Sequence, residues 1–133
     1  MMRRLAFSLA LPILLAQSPV LASSGGGEGG GTGGLIPMDM ITVPIIDSDR
    51  LIGKLRFKLV LEPHDPAAAT RLAGQAARLR MAAMSAGNEF ARLQVTPSEP
   101  VDVEALVHIL ETALHGVDDG VQKVLIVEVA ATR

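Results

Sequence analysis

Hydrophobic positions along this chain switch between a period of two and a period near 3.6, and each switch marks an element. Residues 38–46 (MDMITVPII) are rich in β-branched side chains and read as a first strand. Pro44 places that strand at a sheet edge or strand end, because proline has no N–H to give a ladder. Asp47, Ser48, Asp49 and Arg50 have turn chemistry, and residues 51–62 then alternate. Leu51, Gly53, Leu55, Phe57, Leu59 and Leu61 share one face, and Ile52, Lys54, Arg56, Lys58, Val60 and Glu62 share the other. This is the second strand, hairpin-paired to the first.

Pro63 and Pro66 bracket a stop, where Asp65 is placed as a helix N-cap and Pro66 at the first helical position, which needs no N–H. Leu72, Ala76, Leu79, Ala83, Ala86 and Phe90 then recur in steps of three and four. They predict one long amphipathic helix from residue 66 to about residue 86. Gly87-Asn88 is either its C-cap or a weak point before a continuation to residue 92. The stripe is rich in alanine and allows close approach to a sheet. After a proline-bearing connector over residues 95–100, Val103, Leu106, Val107, Leu110, Ala113 and Leu114 mark a second helix. Asp102 caps it and Gly116 ends it. Residues 117–120 turn the chain, and residues 121–130 (VQKVLIVEVA) form a last strand whose nearly continuous apolar run suits an inner place in the sheet. The predicted fold is therefore α+β, in the order β-β-α-α-β, with two helices on one face of a small sheet.

The N-terminus predicts the compartment. Residues 1–22 carry Arg3 and Arg4, an apolar stretch over residues 5–16, and Val20-Leu21-Ala22 at the end, the pattern of a secretory signal cut after Ala22. As a helix the apolar stretch would be about 18 Å long against a hydrocarbon core of roughly 30 Å, and Pro12 interrupts it. A stable membrane span is not expected, with an uncleaved short anchor as the alternative. Residues 23–36 follow as a glycine-rich linker (GGGEGGGTGG at its centre), with a random-coil reach of about 20 Å. Residues 37–133 then make the folded domain, which is periplasmic or secreted.

Composition narrows the functional classes. The chain has no cysteine, which removes thiol nucleophiles, thiolate metal sites and disulfides together. Twelve Lys and Arg stand against fourteen Asp and Glu; loss of Arg3 and Arg4 with the signal leaves ten against fourteen, a net charge of −4. That balance argues against nucleic acid as a partner. No nucleophile elbow surrounds Ser48, Ser85 or Ser98, His64 sits in a proline-bracketed turn, and the glycine run lacks the Lys-Ser/Thr of a phosphate loop. The expectation is a protein that is not an enzyme and carries no cofactor.

Three groups of residues remain as site candidates. Glu104, His108, Glu111 and His115 fall at i, i+4, i+7 and i+11 of the second helix, a polar face whose residue types are acceptable Zn²⁺ ligands but whose spacing matches no zinc-protease or di-iron motif. Lys54, Arg56 and Lys58 form a basic row on the second strand, suited to an acidic partner, to anionic lipid headgroups in a peripheral membrane contact, or to discouraging edge aggregation. Arg71 and Arg78 share a helix face and are positioned to meet Asp102, Glu104, Glu111, Asp118 or Asp119 of a neighbouring copy.

The element order and several details resemble the periplasmic domain of the FliL family of flagellar basal-body-associated proteins, a stomatin-like fold. The resemblance runs from residue 41 to residue 129. It is carried by Val60-Leu61-Glu62, Asp65-Pro66, Leu79-Arg80, residues 106–114, and Val121-Gln122-Lys123-Val124-Leu125-Ile126. This chain departs from the family in having a signal-like segment where a transmembrane helix is usual, His115 where asparagine is common, and Ile126 where an aromatic is usual. The resemblance implies self-association into a homo-oligomer and contact with an envelope protein, such as a flagellar stator or basal-body component. The alternative is a periplasmic adaptor or binding module with no flagellar connection, binding metal through the second helix in one version.

Overall fold

The computed structural model describes residues 34–133, so the expected signal segment 1–22 and nearly all of the expected linker 23–36 lie outside the described residues. The elements are β1 (Ile36–Pro37), β2 (Ile41–Asp47), β3 (Arg50–Pro63), α1 (Pro66–Gly74), α2 (Ala76–Gln94), α3 (Val103–His115) and β4 (Val121–Thr132). The fold is α+β, an antiparallel sheet with its helices packed on one face.

The 14-residue β3 is the spine of the sheet. Lys54, Leu55, Arg56 and Phe57 pair with both β2 and β4, and Val60 and Leu61 pair with both β1 and β4. β1 and β2 therefore lie end to end along one side of β3, and β4 runs along the other. The expected first strand is thus two pieces joined by residues 38–40, with the Met38 N–H still donating to the Leu59 carbonyl at 3.0 Å. Pro44 sits in β2 on the sheet edge, as its missing N–H requires.

Period-two alternation aims Ile41, Val43, Ile45, Leu55, Phe57, Leu59 and Leu61 at the helices, each no more than 1% exposed. They meet Leu79, Ala83 and Phe90 of α2 and Leu106, Leu110 and Leu114 of α3. The core between the layers is wholly apolar, so hydrophobic transfer and close packing hold the layers together. Both aspartates expected as caps serve as caps. Asp65 Oδ1 accepts from the Ala68 N–H at 2.7 Å, and Asp102 Oδ1 accepts from the Ala105 N–H at 3.0 Å.

Three expectations are corrected. The long helix is broken at Gly74–Gln75, where Gln75 has φ −110° and ψ 17° and its N–H turns back to the Leu72 carbonyl; beyond the break α2 runs through Gly87 to Gln94. The last strand is an edge strand, not an inner one, since β4 bonds only to β3. Leu51 leaves the core face. The β2–β3 register shifts between Ile45, opposite Gly53, and Ile46, opposite Leu51, which leaves Ile52 as the extra residue of a bulge. One inserted residue inverts the alternation beyond it, and Leu51 is 73% exposed.

Candidate functional site

The face of the sheet away from the helices is uncovered, and its side chains grade from apolar to basic along β3. At the hairpin end Pro44, Ile46, Leu51 and Ile52 stand together, with Ile46 49% exposed. Lys54, Arg56 and Lys58, all exposed, follow on alternate residues. A shallow cleft of about 450 Å³ lies between Thr42, Pro44, Leu51, Ile52, Lys54 and the C-terminal Arg133. Of the basic row, Arg56 approaches Glu128 on β4 at 3.9 Å, a solvent-exposed pair of small energetic weight. The structure thus brings the three basic residues of the strand onto one surface and adds Leu51, which the sequence assigns to the core, to the apolar residues at its end.

The polar face of α3 does not assemble as a ligand set. Glu111 Oε1 accepts from the Val124 N–H at 3.3 Å, and His115 Nε2 lies 2.6 Å from the Val121 carbonyl oxygen. A carbonyl only accepts, so that nitrogen carries the hydrogen. Both groups serve the unpaired edge of β4, where backbone donors and acceptors otherwise face solvent as a template for aggregation. His108 instead points to the side, along the groove between α3 and α2, and no group of three or more His, Asp or Glu side chains among the described residues is placed to hold a metal ion.

Arg71 and Arg78 separate. Arg71 reaches Asp118 of its own chain, with Nε donating to Oδ2 at 2.8 Å and Nη2 to Oδ1 at 2.9 Å. The same carboxylate accepts from Gln75 Nε2 at 2.8 Å and from the Gly120 N–H at 2.7 Å. This bidentate pair ties the α1–α2 break to the loop before β4, and a carboxylate only 7% exposed is its centre. Arg78 makes a longer contact, 3.4 Å to Gln75 Oε1, and stays exposed. Arg80, beside Leu79 in the motif that carries the family resemblance, donates to the carbonyls of Asp39 and Met40 at 3.0 Å each. It pins the β1–β2 joint to α2.

The Arg71 hydrogen bonds, then the Gly120 N–H, hold the Asp118 carboxyl far below the usual carboxylate range, against the opposing effect of its burial. A depressed folded-state pKa gives stability that is complete above the unfolded value, about 4, and is lost as pH falls below it. Thermal melts from about pH 5 down to about pH 2 are expected to fall more steeply for the wild type than for Asp118→Asn, which has no such proton to bind. Parallel curves for the two proteins would show that the clamp contributes nothing.

The helix layer has its own surface. α2 exposes Met81 at 73%, Met84 at 37% and Leu93 at 62%. Alongside runs a groove of about 700 Å³, lined by Ala82, Ser85, Ala86 and Glu89 of α2 and by His108, Ile109, Thr112 and Ala113 of α3. Small side chains on both helices keep it open. None of the described helices is long and apolar enough to cross a membrane. No protein-family model and no curated protein sequence matches the chain.

Proposed function

We propose that the protein is exported to the cell envelope, is not an enzyme, and acts by self-association and contact with another envelope protein, as the likeness to the FliL periplasmic domain suggests. The observation that carries this reading is the outer face of α2. Met81 and Met84, one helical turn apart, are large, adaptable apolar side chains held in water, on a helix whose other flank borders an open groove, and their hydration cost is repaid when a partner covers them. Arg78, free of the Asp118 clamp, stands on the same helix as a rim charge able to set register against an acidic neighbour. The signal-like residues 1–22 support export, and the glycine-rich residues 23–34 support a tether that lets the domain search for its partner.

The test is the mass of residues 23–133 by light scattering after size exclusion, over a range of protein concentration, with and without EDTA. A defined multimer that EDTA leaves intact is expected. A strict monomer would overturn self-association and leave a periplasmic adaptor without flagellar connection as the better reading. A multimer dispersed by EDTA would instead put a divalent cation in the contact between copies.

A further inference from the structure

We propose that the uncovered face of the sheet docks on an anionic lipid bilayer. The inference rests on the exported reading only for its location beside a membrane; the recognition itself is written in β2, β3 and β4. Lys54, Arg56 and Lys58 project from one face at every second residue of an extended strand, so their charges fall in a row about 13 Å long. The chain as a whole is acidic, yet on this face Lys54, Arg56, Lys58 and Lys123 outnumber Glu62 and Glu128, which lie opposite Lys123 and Lys58 across the β3–β4 pairing, and Arg133 stands at the margin. Juxtamembrane basic residues attract anionic headgroups by about 1 kcal/mol each, or roughly fivefold in partitioning per residue.

The neighbouring apolar end supplies the other half of an interfacial surface. Ile46 and Ile52 lie on the outer face by the same alternation that aims Ile45 and Gly53 inward, and the bulge at Ile52 turns Leu51 out to join them. They sit beside Lys54, so apolar side chains can enter the acyl boundary while the ammonium groups stay among phosphates. A flat surface with a shallow cleft suits a bilayer better than a peptide, which needs pockets to read alternate side chains. A second copy stacked face to face would set one basic row against another, and like charges brought together are costly. Bound this way, the domain presents α2 and α3 away from the lipid, toward protein partners.

The absence of cysteine allows a clean probe. Leu51→Cys is labelled with an environment-sensitive dye in the full chain and titrated with vesicles of phosphatidylcholine alone or with phosphatidylglycerol at about a third of the lipid. The expected result is a blue shift on the anionic vesicles only. It should weaken by about two orders of magnitude in K54A/R56A/K58A and be reversed by raising the salt to about 0.5 M, where charges are screened within a few ångströms. The salt arm needs no variant, so it decides the matter even if the triple substitution disturbs the fold. An equal shift on neutral vesicles would overturn the proposal, because residues 1–22 or the apolar end would then be acting without charge. No shift on either vesicle would overturn it too, and a shift produced by polyglutamate but not by vesicles would reassign the face to an acidic protein. Because the dye reports the sheet face and light scattering reports self-association, either reading can fail while the other stands.

Discussion

Phe57→Ala is expected to destabilise the domain by about 3–5 kcal/mol, measured as a lower urea midpoint with an unchanged slope. Phe57 is fully buried in the middle of β3, where it pairs with Ile41 on one side and Val129 on the other. Its ring also faces α2 across the layer boundary, so truncation opens a cavity that sheet and helix cannot both close. Domains of this size hold about 5–15 kcal/mol in total. The substitution should therefore bring the protein near its unfolding threshold. A loss under about 1 kcal/mol would mean that the two layers do not meet at this ring.

Gly87→Ala should also destabilise, against the ordinary expectation for a glycine inside a helix. Helix propensity alone favours alanine by about 1 kcal/mol. Here, however, a Cβ on Gly87 would lie 2.7 Å from both Cε1 and Cζ of Phe57. Those atoms belong to a ring with no exposed surface and hence nowhere to withdraw, and overpacking of that kind costs about 1–3 kcal/mol. The sign is settled by the clash, and the remedy is specific. In a Phe57→Leu background the shorter side chain removes the contact, so adding Gly87→Ala there should be neutral or stabilising. Additive losses in the double variant would show that Gly87 is needed for some other reason.

That glycine also shows where sequence reasoning stops. The period of the stripe from Leu72 to Phe90 identified a helix that packs on a sheet, but Gly87 read locally as a cap or a weak point. It is neither, because what requires it is a phenylalanine thirty positions earlier on the facing strand. The break that does occur, at Gly74–Gln75, is held by the Gln75 side chain reaching Asp118, a contact no local pattern encodes. Alternation in β3, the apolar stripe of α3 and the caps at Asp65 and Asp102 were legible, because each follows from neighbours within a few residues.

The candidate sites divide on the same line. Lys54, Arg56 and Lys58 share a face in any strand, so their grouping was plain from spacing. Leu51 joins them only through a bulge, whose one trace in the sequence is Gly53. Glu111 and His115 are ligand types on one helix face, yet the edge of β4 takes both of them. Arg71 meets Asp118, one of the acids expected of a neighbouring copy, within its own chain. Helical spacing predicts which residues are neighbours on a helix, and says nothing of what a later strand brings beside them.

The central claim, that the protein works through contacts of its helix layer, is tested most directly by comparing wild type with Met81→Glu/Met84→Glu by light scattering at matched concentrations. Both methionines are exposed, so the variant should keep its circular dichroism and melting transition. A defined wild-type multimer that falls to monomer in the variant is the predicted result. A wild type that stays monomeric at every concentration, or a multimer that the two glutamates leave unchanged, would contradict it.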